Sequence, residues 1–308
     1  MRILSGLAME LLRLLGVAVG ITVIVFFLIR FIPGDVVDVM AISADLTYQQ
    51  QSTIRAELGL DVSWPEQFLL WCRMALAGDL GTSLRFGRPV TEMIAIALSP
   101  TLRLAGASFA IGIGLGVGLA LLAALLPRSP FVWLVDAINI WSIAMPTFSV
   151  GLAVVIVFAL WLGWMPAVGT LLAPAIILGV DTAGTLVKML HEDIRELESA
   201  LWVRTAKAKG LSRLRIVLAH LLPNAASVLL AMTGIVLAGL VGGAITMEVV
   251  FGLPGIGTLT MQAMKGRDYP LIQAIILMLA LGVVVANFLT DLLQRLIDPR
   301  VSRNGAQP

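Results

Sequence analysis

Charge is scarce in this chain. Only 13% of its 308 residues are Asp, Glu, Lys or Arg, about half the fraction found in ordinary soluble domains. Together with a mean hydropathy of +0.98, that scarcity excludes a water-soluble globule. The net charge of +2 gives a nucleic-acid partner no electrostatic footing. The single cysteine, Cys72, cannot form an internal disulfide, and no metal-ligand spacing surrounds it. The two histidines, His191 and His220, are distant in sequence and have no metal-ligand neighbours, and "HEDIR" lacks the second histidine of a zinc-protease helix. No serine–histidine or paired-aspartate arrangement lies within the apolar runs, so an intramembrane enzyme has no support. No metal, cofactor or catalytic residue is expected. No small-residue cleavage site separates "MRILSGLAMELLRLLG" from the apolar run that follows, which therefore reads as a retained first span and not as a signal peptide.

What the chain has in quantity is apolar runs near or above the roughly 20 residues that cross a bilayer core. The pattern predicts an all-α polytopic membrane protein with six transmembrane helices, at about residues 11–32, 101–126, 136–162, 171–190, 224–247 and 271–293. Trp141 at one end of the third run and Trp161 and Trp164 at the other are spaced as aromatic markers of the two membrane faces. Pro146 removes a backbone donor within that run and should kink it. Arg30, near the outer end of the first span, is placed to snorkel toward the headgroups. Orientation follows from cations in short loops. With a cytoplasmic N-terminus, the inner side holds Arg128, Lys188, Arg195, Arg204, Lys207, Lys209, Arg213 and Arg215, and the C-terminal tail adds Arg295, Arg300 and Arg303. Both termini are expected in the cytoplasm.

The long outer segment after the first span reads as mostly helical. In "LTYQQQSTIRAELGLD", Thr47 and Gln50 form a capping-box pattern and Gly59 is a helix stop. In "WPEQFLLWCRMALAGD", Pro65 sits in a first turn, and Phe68, Leu69 and Trp71 give an apolar side.

The stretch "WVRTAKAKGLSRLRIVLAHLLPN" gathers five cations between the fourth and fifth spans. No helix breaker interrupts 199–209, Gly210 supplies a stop, and Ser212 can cap a second helix that carries on to Pro223. Two short helices joined by a Gly-Leu-Ser turn are expected to project into the cytosol. Arg204 and Lys207 lie one turn apart, with Leu201, Trp202 and Ala208 offering apolar surface. Topology alone accounts for the sign of this charge, but not for a loop of about thirty fully helix-forming residues. By pattern, a membrane-surface amphipathic helix and a docking site for another protein both remain open.

"RTAKAKG", followed thirteen residues later by the proline of "LLP", resembles the EAA loop of ABC importer permeases. Gly210, Ala206, Leu222 and Pro223 fall on the motif's positions. Arg204 stands where the motif has glutamate, Thr205 at the first alanine and His220 at the isoleucine. That Arg-Thr-Ala form is usual in the branch that carries peptides and nickel. "RFIPGD", "ELGLD", "GDLGTS", "RPV", "VVFGLPGIG", "RDYP" and "DPR" follow in that branch's order. The resemblance implies a type I ABC importer permease fold. It is expected to divide into an N-terminal tail and first helix (1–33), an extracytoplasmic helical segment (34–98), a transmembrane core of five helices with a coupling loop at 191–223 (99–293), and a cytoplasmic tail (294–308). It implies a bacterial inner-membrane subunit forming half of a pathway for di- or oligopeptides, nickel or a metal chelate. Arg204, Thr205, Ala206, Lys207, Gly210, Leu222 and Pro223 would couple it to an ATPase. The implied partners are a second homologous permease, two cytoplasmic ATPase subunits and an extracytoplasmic binding protein. The chain has no phosphate loop of the G-x-x-x-x-G-K-S/T form, so the ATPase is a separate polypeptide. The competing class is a self-sufficient secondary transporter or channel, though no internal repeat of the kind common in such carriers is evident.

Polar groups within spans complete the list. Asp181, mid-way along the fourth span, is either a pathway residue favouring a cationic cargo or a protonated or paired carboxyl that ties spans together. Asn287 is a second pathway candidate. With Asp291, Asp136 and Asn139 it also fits hydrogen bonding between helices. Gly112/Gly116 and Gly114/Gly118 in "GIGLGVG" have the small-xxx-small spacing of close helix packing. "FGLPGIG" is expected as an outer re-entrant or gate-adjacent loop.

Overall fold

The computed structural model describes residues 2–31, 34–44 and 46–297. Pro33 of "RFIPGD" and residues 298–308, with "DPR" and Arg303, lie outside the described residues. Among the described residues every regular element is helical, apart from one isolated bridge between Thr82 and Pro89. In chain order these are α1 (Arg2–Arg30), α2 (Val36–Ala44), α3 (Tyr48–Glu57), α4 (Trp64–Leu76), α5 (Val90–Leu125), α6 (Pro130–Ala144) and α7 (Thr147–Val154). There follow α8 (Leu172–Glu198), α9 (Leu201–Ala208), α10 (Arg213–Ile216), α11 (Leu222–Phe251), α12 (Ile256–Lys265) and α13 (Tyr269–Ile297). α5, α8 and the stretches Val228–Phe251 of α11 and Tyr269–Thr290 of α13 are each long and apolar enough to cross a bilayer. Gly16–Arg30 of α1 is a shorter apolar helix, and α6 with α7 and its continuation makes a bent pair. Among the described residues four helices, or five with the bent pair taken as one span, are long and apolar enough to cross, against the six expected.

The third span differs most from expectation. Pro146 does more than kink it, because Pro130–Ala144 and Thr147–Trp161 meet at 96°. Proline disfavours helical geometry in the residue before it, and Met145 is extended (φ −111°, ψ 111°). A wide π-helical stretch, Val155–Trp161, then completes the second arm. Trp141 and Trp161 therefore do not mark the two ends of one straight rod.

The chain divides into two compact units. The first comprises Met1–Ser99 and Pro254–Val284. Its core sets Val90, Ile94 and Ala97 of α5 with Ile256, Leu259 and Ala263 of α12 and Leu271 and Ile275 of α13. That spacing of apolar residues explains why α5 starts eleven residues before the expected Thr101 and runs through Pro100, a position where a helix loses a single hydrogen bond. The Thr47–Gln50 capping box forms, with Thr47 N–H donating to Gln50 Oε1 at 2.9 Å. α2 is an addition to the expected elements. Its start is held by Asp35, whose Oδ1 accepts from the N–H groups of Val37 and Asp38 at 2.8 and 3.0 Å. On α4, Phe68 and Trp71 stack toward Phe26 at 5.0 and 6.4 Å, while Leu69 points away, exposed. Arg30 does not reach free toward headgroups. It donates to Gln67 Oε1 at 2.9 Å and to the Phe26 carbonyl at 3.0 Å, over the Phe26 ring.

The second unit comprises Pro100–Leu253 and Val285–Pro308. Here α8 is the central helix, packed against α6, α7 and α11. Small residues allow the close approaches. A Cβ on Gly112 would fall 2.4 Å from Thr182 Cγ2, and one on Gly179 2.5 Å from Ile111 Cγ2. Of the two glycine pairs in "GIGLGVG", Gly112 and Gly116 face α8, whereas Gly114 and Gly118 have nothing within 4 Å. Interhelical hydrogen bonding appears where α6 meets α8: Asn139 Nδ2 donates to the Gly184 carbonyl at 3.1 Å, and Lys188 pairs with Asp136 at 2.9 Å.

Candidate functional site

The basic stretch folds as two short helices fixed against the end of α8. α9 is amphipathic over only eight residues. Val203 is 0% and Ala206 8% exposed, both in a core with Val187, Leu190 and Ile194 of α8 and Ile216, Val217 and Leu221 beyond the turn. Arg204, Thr205 and Lys207 are exposed on the other side. The inward face is thus Val203 and Ala206, and Leu201, Trp202 and Ala208 are on the outside. The inner face of the stretch packs on the unit's own core. α8 outlasts its apolar run by two turns to provide that core, ending at Glu198.

Gly210 makes the turn. Its φ of +79° lies in the left-handed region that favours glycine. The next helix opens on Ser212, whose side chain accepts from Arg215 N–H at 3.4 Å. Arg213 fastens the junction by donating through Nε to the Ala124 carbonyl at 2.7 Å and through a terminal nitrogen to Glu198 at 2.7 Å. The second helix does not end at Pro223. Leu222 N–H donates to Val217 O, five residues back, and this wide turn, Val217–Leu221, accommodates the proline at the start of α11. From Arg213 to Phe251 the chain is continuously helical, so the turn at Gly210 is joined to a candidate span without a break. Leu222 is half-buried and Pro223 exposed on that helical stretch.

Within the second unit, α7, α8 and α11 line an open cavity of about 320 Å³. Thr147, Asp181 and Thr185 supply its polar wall, and Gly239, Gly243 and Ile235 its opposite wall. Asp181 is half-buried, with no ion pair or hydrogen bond to its carboxylate among the described residues. A carboxylate at that depth is costly unless it faces water or a partner. Asn287 is not in this cavity. It is exposed on α13, and its Oδ1 would lie 3.3 Å from a Cβ on Gly234 of α11. The side chain of Asp291 lies outside the described residues.

Two buried carboxylates escaped the sequence reading. Glu248 of α11 is 0% exposed and accepts from Thr101 Oγ1 at 2.5 Å. It lies one residue beyond the expected end of the fifth span, outside the apolar run itself. In the first unit, Asp268 is also 0% exposed. It accepts from the Ser83 hydroxyl and from the backbone N–H groups of Leu84 and Arg85 at 3.1 and 3.4 Å. Next to it, Tyr269 donates its hydroxyl to the Gly34 carbonyl, and Arg85 reaches the Gln262 carbonyl at 2.8 Å. "RFIPGD", "GDLGTS" and "RDYP" therefore contribute to one hydrogen-bonded knot through Gly34, Ser83, Asp268 and Tyr269. Arg55 adds a clamp to Asp35 and Asp38 at 2.8 and 2.5 Å; its hydrogen bond to Asp35 is the largest of the effects that raise its pKa above the ordinary value.

Comparison with known proteins gives this arrangement its setting. Residues 116–303 match the family described as binding-protein-dependent transport system inner membrane component. The chain belongs to that family. A putative peptide permease protein of Brucella suis biovar 1 is 33% identical over 304 residues, covering 93% of this chain and 95% of the relative. The glutathione transport system permease protein GsiC of Pectobacterium atrosepticum is 31% identical over 297 residues, covering 95% and 97%. The inward-facing structure of the MetNI methionine ABC transporter is similar in fold, with a TM-score of 0.58 and 20% identity over 68% of this chain and 97% of that chain. This binding-protein-dependent inner membrane component is a permease subunit of an ABC importer, all-α and multi-pass, with the type I permease fold. The rival class of self-sufficient carriers is set aside by the family.

Proposed function

We propose that this subunit carries short peptides inward across the bacterial inner membrane and couples that movement to a separate ATPase through α9 and the turn at Gly210. The relatives named for peptide and glutathione transport support a peptide cargo. The observation that carries the coupling reading is the two-sidedness of α9: Val203 and Ala206 anchor it to α8, while Arg204, Thr205 and Lys207 face outward. In this reading Gly210, Leu222 and Pro223 join that handle to α11. Both termini and the handle are cytoplasmic, 34–98 is extracytoplasmic, and 99–293 is the transmembrane core. Asp181 and Asn287 face the pathway, which a second, homologous permease subunit completes. Two ATPase subunits grip the two handles, and a binding protein outside delivers the peptide.

The test is reconstitution with the ATPase, the second permease and the binding protein in vesicles. Lys207→Glu leaves the fold intact, because Lys207 is exposed on the handle. It should lower peptide uptake at least about tenfold, as reversing an interfacial charge does, while the ATPase keeps hydrolysing ATP. Uptake and hydrolysis both equal to wild type would remove the coupling role from α9.

A further inference from the structure

Where the apolar runs of α5 and α8 give way to charge, the second unit holds a cavity of about 270 Å³. Ala123 at the end of α5, Val132 of α6 and Ile194 of α8 form an apolar wall. Facing them are His191, Arg195 and Glu198 of α8 and Arg213 of α10. The charges on this wall do not cancel. Arg213 pairs with Glu198 at 2.7 Å, so those two neutralise each other. Arg195 is exposed and has no hydrogen bond or ion pair among the described residues; the nearby Asp136 carboxylate, which attracts it electrostatically, is itself paired with Lys188. His191 adds a ring nitrogen, Nδ1, that no described residue satisfies.

A guanidinium whose N–H groups make no hydrogen bond matches phosphate oxygens, which it can hold through two parallel N–H bonds. The apolar wall beside it suits the glycerol and first methylenes of a lipid. Basic pockets between spans, at the level where chains emerge from the bilayer, bind anionic headgroups. We infer that this cavity is a phosphate site, occupied by the headgroup of an anionic phospholipid. Its place gives the binding a consequence. Arg213 follows the turn at Gly210 directly, and Ala123 and Ile194 belong to the same core as Val203 and Ala206. A phosphate bound there ties the root of the two short helices to the membrane surface. That consequence, and the assignment to the cytoplasmic leaflet, rest on the proposed function; the binding does not.

The experiment uses the full chain, delipidated in an uncharged detergent and mixed with phosphatidylglycerol, phosphatidylcholine or inorganic phosphate, with bound ligand counted by native mass spectrometry. Phosphatidylglycerol should be retained at least about fivefold over phosphatidylcholine, and Arg195→Gln should lower that retention by about fivefold, the weight of one basic residue at a membrane surface. Arg195→Lys, which keeps the charge but not the two parallel N–H bonds, should restore only part of it. An unchanged melting midpoint for Arg195→Gln shows that the fold is preserved, so any loss is one of binding. If millimolar inorganic phosphate displaces the lipid, the phosphate group alone suffices; if it does not, the apolar wall contributes and the ligand is the lipid. Equal retention of the two lipids, or wild-type retention by Arg195→Gln, overturns the inference. Neither result touches the uptake test of coupling, which fails or succeeds on Lys207.

Discussion

Gly112 and Gly114 stand two residues apart on α5, identical in chemistry and in helical setting, yet the structure separates them completely. A Cβ added at Gly112 meets Thr182 Cγ2 at 2.4 Å, Thr182 Cβ at 2.7 Å and the Gly179 carbonyl at 3.2 Å. Carbon atoms rest at about 3.5–4.0 Å, so α5 and α8 would have to separate by about 1 Å. Thr182 cannot swing clear, because its own Cβ is in the way and a backbone oxygen lies behind it. A Cβ at Gly114 meets nothing within 4 Å. Changing either glycine to alanine brings the same gain in helix propensity, about 1 kcal/mol. The difference between the two variants therefore isolates the clash, and overpacking of this kind costs about 1–3 kcal/mol.

The assay is a thermal melt of the purified chain, Gly112→Ala against Gly114→Ala. In a domain the size of the second unit, 1 kcal/mol moves the midpoint by about 2–4 °C. Gly112→Ala should melt several degrees below Gly114→Ala, and Gly114→Ala at or slightly above wild type. If both fall equally, or neither falls, then Gly112 does not set the distance between α5 and α8, and the packing described for the second unit is wrong at its centre.

Three further outcomes follow from the described contacts. Asp268→Asn removes an acceptor from the knot around Ser83 and leaves a buried N–H₂ opposing backbone donors; it should cost about 2–3 kcal/mol, read as a lower melting midpoint, and Ser83→Ala should cost less. Asp181→Asn should reduce uptake of peptides with a free, protonated amino terminus while sparing uncharged cargo; an equal loss for all cargo would make Asp181 a structural residue. Cys72 on α4 is half-buried, and burial pushes its thiol pKa up, so the thiolate is the minor form at neutral pH. Maleimide labelling of this single cysteine should be slow at pH 7 and rise about tenfold per pH unit toward the raised pKa; a rate that is flat from pH 7 to 9 would contradict that environment.

Much of this architecture is legible in the sequence, because bilayer thickness writes itself as run length and local caps write themselves as residue pairs. Thr47 with Gln50, Ser212, and the stop at Gly210 were readable for that reason. Run length, however, reports where apolar character ends and not where the helix ends. α8 continues through His191 and Arg195 because Val187, Leu190 and Ile194 keep the helical spacing of a buried face, although Lys188, His191, Glu192 and Asp193 between them are polar. α5 begins at Val90 for the same reason, with Val90, Ile94 and Ala97 buried upstream of a proline that looked like a boundary. The size of the break at Pro146 was unreadable, since a proline fixes where a helix weakens while its neighbours fix how far it turns. Glu248 and Asp268 were missed for another reason. Their partners, Thr101 and Ser83, lie 147 and 185 residues away, and no local pattern encodes such a pairing.

The basic stretch shows why these two kinds of information have to be joined before function can be argued. Its sequence announces cations, a turn and a second helix, which is equally the description of a loose basic loop. What distinguishes the two is Val203 and Ala206 sinking into the end of α8, Arg213 closing the junction onto Ala124, and the unbroken helix from Arg213 into α11. A loose loop could bind a partner without moving anything. With its inner face fixed to α8 and its far end continuous with α11, this segment cannot shift without displacing helices that wall the Asp181 cavity. Under the proposed function, coupling would therefore depend on how the basic stretch is anchored, with its exposed cations as the place where a partner grips.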